Sequence, residues 1–186
     1  MSFEIVKKSV TLNGLTPIML DRFVGQEEIP VEQKLYRAAD GETLILPSTN
    51  IMGFLASKSS NSCLRQFTSN KDWKIIEPIL RSSIAVYPES IPITDNGEHI
   101  LFHDWTEKIR VDERQARPSS TARVIARRPK IELPWRLDFG IAINESEKIN
   151  EGMVRDWFDR GGFLVGVGGG TTIGFGRFTI GGWNTA

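Results

Sequence analysis

The chain holds one cysteine, Cys63, in 186 residues. A single cysteine excludes an internal disulfide framework and a cysteine-based zinc site. It is expected to fill a small apolar space beneath a helix. Histidine is nearly as scarce, with His99 and His103 alone. On a strand their spacing puts both on one face, beside Asp104, without the third ligand that a metal site needs. No carboxylate pair or serine triad is legible, and nothing orients Cys63 against a histidine for nucleophilic chemistry. No metal or cofactor is therefore expected. Long apolar runs are missing too: none approaches the ~18 residues of a membrane helix. The start, Met1-Ser2-Phe3-Glu4-Ile5, lacks a basic-then-apolar leader pattern. The expectation is a soluble, cytoplasmic protein with no membrane partner.

Net charge is the last absence: 23 basic residues balance 23 acidic ones. Nothing global attracts the chain to nucleic acid, so such a site has to come from local charge separation. That separation exists. From Arg114 to Lys130 there are six cations (Arg114, Arg117, Arg123, Arg127, Arg128, Lys130) and no acid. A guanidinium suits phosphate because its donors form a planar, permanently charged fork. Pro118-Ser119-Ser120-Thr121 adds hydroxyls at the tip of this segment. The alternative is a solvated hairpin whose cations pair with acids elsewhere.

With 40% hydrophobic and 25% charged residues, the chain has enough apolar side chains for a core. Its length predicts one domain, 1–186, with an insertion over 87–120. Residues 3–12 alternate as a strand, ended by Asn13-Gly14, and Thr16 to Leu20 is expected to extend the same sheet. Pro47 followed by Ser48, Thr49 and Asn50 predicts a helix start with side-chain caps, running over about 49–67 with a break near 58–62. The second half of 73–86 reads as a strand, and His99 to His103 as a short one. Trp135, Leu137, Phe139, Ile141 and Ile143 share one face of a further strand. Met153, Trp157 and Phe158 form one stripe of a helix over 150–160, which Gly161-Gly162 is expected to stop. Strand, glycine loop and strand then close the chain over 163–180. The order β, α, β, insertion, β, α, β predicts an α+β, ferredoxin-like (RRM-like) βαββαβ core with an inserted basic hairpin.

The closing loop, Gly166-Val167-Gly168-Gly169-Gly170, fails both nucleotide-loop tests. No Gly-Lys-Ser/Thr follows it, and no helix opens after it. Alone it reads as a structural hairpin with Arg177 just beyond. Phe102, Trp105, Phe175 and Phe178 are candidates for base stacking, with core packing as the default.

Three segments together resemble the RAMP superfamily, the ferredoxin-fold proteins of CRISPR effector complexes, and its guide-RNA-lining backbone subunits in particular. Leu46-Pro47-Ser48-Thr49-Asn50-Ile51-Met52-Gly53 is similar to that family's signature opening the first helix, with Met52 where a basic residue is usual. The basic insertion is placed like its protruding thumb. Gly166 to Phe178 is similar to its C-terminal glycine-rich loop. The resemblance implies single-stranded RNA (or DNA) bound along a helical or ring-like stack of copies, with other effector subunits as further partners. The implied contacts are Ser48, Thr49 and Asn50, the 114–130 cations, Gly168, Gly169, Gly170 and Arg177. Some relatives cut RNA with an aspartate between the first strand and first helix, where Asp21 and Asp40 lie. Two alternatives stand beside this reading: a structural or assembly protein, for example phage-associated, docking an acidic partner, and a metal-dependent endoribonuclease.

Overall fold

Alternation in the first strand decides where the core lies. Strand β1, Ile5–Gly14, exposes Ile5, Lys7 and Ser9 and buries Val10 and Leu12 on its other side. The computed structural model describes residues 5–22, 29–57, 61–116 and 124–186. The strands after β1 are β2 (Ile18–Met19), β3 (Ile45–Pro47), β4 (Ile84–Tyr87), β5 (Ser90–Asp95) and β6 (Glu98–His99). They are followed by β7 (Ile109–Ala116), β8 (Val124–Ile131), β9 (Arg136–Asn144) and β10 (Phe178–Thr185). The helices are α1 (Ser48–Ala56), α2 (Cys63–Phe67), α3 (Trp73–Ser83) and α4 (Glu151–Leu164).

β9 is the centre of the main sheet, and its Leu137, Phe139, Ile141 and Ile143 are buried as the alternation predicts. β1 pairs antiparallel with β9 on one side and β10 on the other. β4 and then β5 follow one another along the far side of β9. The order β10-β1-β9-β4/β5 is the ferredoxin-like arrangement of an α+β fold. α1 and α4 supply Phe54, Val154, Trp157 and Phe158 to the core against the sheet's buried rows.

Several expectations are corrected. Thr16 to Leu20 does not extend the main sheet; β2 pairs with β8 in a separate sheet of order β2-β8-β7. The break expected within 49–67 is borne out: α1 ends at Ala56 and α2 starts at Cys63, capped by the Ser62 hydroxyl. Most of 73–86 is helix, because Ile76, Ile79 and Leu80 recur at helical spacing and pack inward, leaving only Ile84–Tyr87 as strand. Between β5 and β6, Asn96 and Gly97 turn the chain at positive φ, as their residue types demand.

The expected stop at Gly161-Gly162 is absent: α4 starts where Asn150 accepts from the Met153 N–H and continues to Leu164. A Cβ on Gly161 would lie 2.4 Å from Cys63 Sγ, and one on Gly162 2.5 Å from the Phe178 carbonyl oxygen. Glycine is there so that α4 can approach α2 and β10, not to end the helix. The expected strand over 163–168 is therefore helix end and loop. The glycine segment joins α4 to β10 rather than closing a hairpin.

Cys63 is fully buried, its thiol directed at the Trp157 carbonyl at 3.4 Å, and burial pushes the thiol far above its usual pKa. Within 87–120, β5 and β6 belong to the main sheet; the chain then leaves it to form the β7–β8 hairpin, and 117–123 lie outside the described residues. Among the described residues no helix is long and apolar enough to cross a membrane.

Candidate nucleic-acid interface

The start of α1 and the glycine loop are brought together. Thr49, Asn50, Gly53, Ser57, Asn61, Gly166, Gly168, Gly170, Thr171 and Thr172 line one cleft of about 410 Å³. Ser48, Thr49 and Asn50 do not cap the helix as expected. The N-cap is Pro47, and no side chain caps the first turn. The Ser48 N–H is taken by the Glu89 carbonyl, while those of Thr49 and Asn50 lie in the first turn, where a helix offers no partner of its own. Asn50 lies near the Tyr36 hydroxyl, whose pKa is raised by burial.

The opposite wall is fixed by backbone geometry. Gly166, Gly168, Gly170, Gly174 and Gly176 all have positive φ. A Cβ at Gly168 would meet the Met19 carbonyl oxygen at 2.6 Å, and one at Gly176 the Val167 carbonyl oxygen at 1.8 Å. The Gly169 N–H donates to the Met19 carbonyl at 2.7 Å, so the loop lies beside β2. Arg177 braces it from behind. Its Nη2 donates to the Thr171 carbonyl at 3.0 Å, while Nη1 is buried with no partner among the described residues. Burial lowers the Arg177 pKa.

β2 carries the loop to the hairpin, since Met19 pairs with Lys130 of β8 and bridges to Gly169. Arg114 on β7 stacks on Phe175, 5.0 Å from the ring centre. Arg128 bonds Asp21 at 2.6 Å, and Asp21 Cβ is 3.1 Å from where a Gly169 Cβ would sit. The cations do reach the glycine loop. Each described one, however, already holds a carboxylate: Arg114 with Asp112, Arg127 with Glu113, Arg128 with Asp21 and Lys130 with Glu132. The pairing that the sequence left open therefore takes place. Arg117 and Arg123 lie outside the described residues.

Among the stacking candidates, Phe178 is buried against Phe54 and Phe158, and Phe102 is buried edge-on to Trp105. Phe175 is half-buried at the loop. Asp40 closes a turn by accepting from the Thr43 N–H, the Thr43 hydroxyl and the Glu42 N–H, which hold its pKa below the usual carboxylate range. His103 approaches Glu42 at 3.9 Å. Among the described residues no three His, Cys, Asp or Glu side chains group as metal ligands.

No family model and no curated protein matches the chain by sequence. A solved structure does match by shape. It is a chain of the cryo-EM structure of the Type III-B Cmr-beta bound to cognate target RNA. The TM-score is 0.57 at 9% identity, over 97% of this chain and 60% of that one. The likeness is one of fold, and this chain spans 60% of that chain's length.

Sequence reasoning missed two members of the site. Asp21, which the resemblance offers only as a cleavage residue, holds Arg128 beside Gly169. Tyr36 had no signal at all, because only the fold brings it near Asn50.

Proposed function

We propose that the chain is a single-stranded-RNA-binding subunit of a ribonucleoprotein complex, of the RAMP kind, with no catalytic step of its own. The observation that carries this reading is the shared cleft of α1's first turn and the glycine loop, with hairpin cations beside it. Open first-turn N–H groups and the positive end of the helix favour an anion there. Glycines allow a phosphate backbone close approach. Exposed ion pairs contribute only about 0.2–1 kcal/mol each, so a phosphate that accepts a bidentate guanidinium can displace the carboxylate. Arg127, whose side chain is 54% exposed, and Arg114, at 40%, exchange most readily. In this reading the β7–β8 hairpin is an insertion of a single domain and reaches a neighbouring copy in a stack, alongside other effector subunits.

The test is anisotropy of a labelled single-stranded RNA across a salt series, with DNA as comparison. Replacing Arg114 and Arg127 together by glutamine weakens binding and lowers the salt slope by about 1.4, at ~0.7 per phosphate contact. Unchanged retention at low salt would sink the proposal. A protein-docking role has one observation in its favour: Phe163, Leu164 and Ile173 are 68%, 53% and 51% exposed. Oligomers that persist after nuclease treatment, with no co-purifying nucleic acid, would favour it.

A further inference from the structure

A second basic surface lies on the helices, away from the hairpin. Arg65 of α2 lies over Trp73 of α3, 4.3 Å from the ring centre, and Lys74 approaches the same ring at 5.9 Å. Arg160 of α4 covers Phe67 at 4.2 Å while also pairing with Asp156. Lys71 and Lys74 are exposed. Among the described residues, Arg65, Lys71 and Lys74 have no carboxylate within ion-pair distance, in contrast to the described hairpin cations. The nearest acid in sequence, Asp72, is bonded to the Ser69 hydroxyl.

The segment that carries this surface starts at the cleft wall. Asn61 lines the cleft and donates to the Thr171 hydroxyl at 2.5 Å. The next residue, Ser62, caps α2 by accepting from the Arg65 N–H. Arg65 is thus the third residue of α2, four residues along the chain from Asn61 in the cleft wall. A guanidinium laid on an aromatic ring keeps its edge donors free for phosphate and presents a flat outer face on which a base stacks.

We propose that a single strand leaving the cleft continues over α2 and α3, with Arg65, Lys71 and Lys74 meeting its phosphates and the Arg65–Trp73 stack holding a base. This rests on the reading of the cleft as the RNA site. Unpaired cations make the helical track the more salt-sensitive of the two surfaces, because no carboxylate has to be displaced there.

The test compares a short oligouridylate of about 5 nucleotides, enough for the cleft, with one of about 15. The variant is Arg65→Gln, Lys71→Gln, Lys74→Gln. The long RNA is expected to lose about tenfold or more in affinity and about 2 from its salt slope, at ~0.7 per phosphate. The short RNA is expected to bind the variant and the parent alike. The inference is overturned if the long RNA binds both proteins equally, if both RNAs weaken equally, or if the patch prefers a polyglutamate peptide to RNA. If neither RNA binds the parent at low salt, the cleft reading fails and takes this one with it. Should loss of the Arg65 stack lower the melting temperature, Lys71→Gln with Lys74→Gln, both exposed, repeats the test with an expected slope change of about 1.4.

Discussion

On the proposed reading, removing one acid from this protein tightens its binding of single-stranded RNA. Asp21 Oδ2 sits 2.6 Å from Arg128 Nε, with the two side chains 34% and 29% exposed. A fully exposed pair contributes about 0.2–1 kcal/mol, and a hydrogen bond to a charged group about 1.5–3. Partial exposure places this pair between them, at ~1 kcal/mol. Asp21→Asn keeps the shape and an acceptor oxygen but removes the charge. The folded state loses ~1 kcal/mol, a fall of about 2–4 °C in melting temperature for a chain of this size. A phosphate, however, no longer has to displace a carboxylate to reach Arg128. That gains about fivefold in affinity, with a salt slope steeper by ~0.7. Anisotropy with labelled single-stranded RNA and a thermal melt on the same samples read both effects. Weaker or unchanged RNA binding alongside the lower melting temperature would refute the reasoning, because Arg128 would then lie outside the path of the strand.

Three further outcomes follow from the fold. Gly162→Ala drives a Cβ to within 2.5 Å of the Phe178 carbonyl. Overpacking of about 1–3 kcal/mol outweighs a helix-propensity gain of ~1, so thermal melts should show net destabilisation, and a rise would contradict the close approach of α4 to β10. Cys63 should react with iodoacetamide only as fast as the protein unfolds, since burial raises its thiol pKa and shields it; fast labelling of the native protein would contradict its placement. Asp40 has its folded pKa lowered below the ordinary 3.8 by the Thr43 and Glu42 donors. Its stabilising contribution is therefore present above that ordinary value and lost as pH falls through the lowered one. The advantage of the parent over Asp40→Asn in melting temperature should shrink on acidification below about pH 4, and a constant difference would show that the carboxylate charge is immaterial there.

The parts of the fold that read clearly are those where side-chain period and burial agree. β9 alternates without interruption, and Trp157 and Phe158 fall on the buried stripe of α4. α3 was hidden because its isoleucines are β-branched and Pro78 stands inside it, yet tertiary packing of Ile76, Ile79 and Leu80 prevails over propensity. Gly161 and Gly162 looked like a stop because a glycine that ends a helix and one that lets it touch a neighbour are identical in sequence. The cleft was half legible: the α1 start and the glycine loop were both singled out, and the fold joined them. The neutralised hairpin was not, because its acids lie outside the 114–130 segment: Asp112 just before it on Arg114's own strand, Glu113 on the strand facing Arg127, Glu132 just beyond it and distant Asp21. The helical cations were overlooked for the opposite reason: three of them scattered over 65–74 make no conspicuous run until α2 and α3 fold together.

Photo-crosslinking of a 4-thiouridine-substituted single-stranded RNA, with the modified peptides mapped by mass spectrometry, tests the central claim most directly. The account predicts adducts on the peptides holding Asn50, on Gly166 to Thr172 and on Phe175, all lost at high salt. Adducts confined to the open face of the main sheet, around Ser9 and Tyr87, or none at low salt, would contradict it.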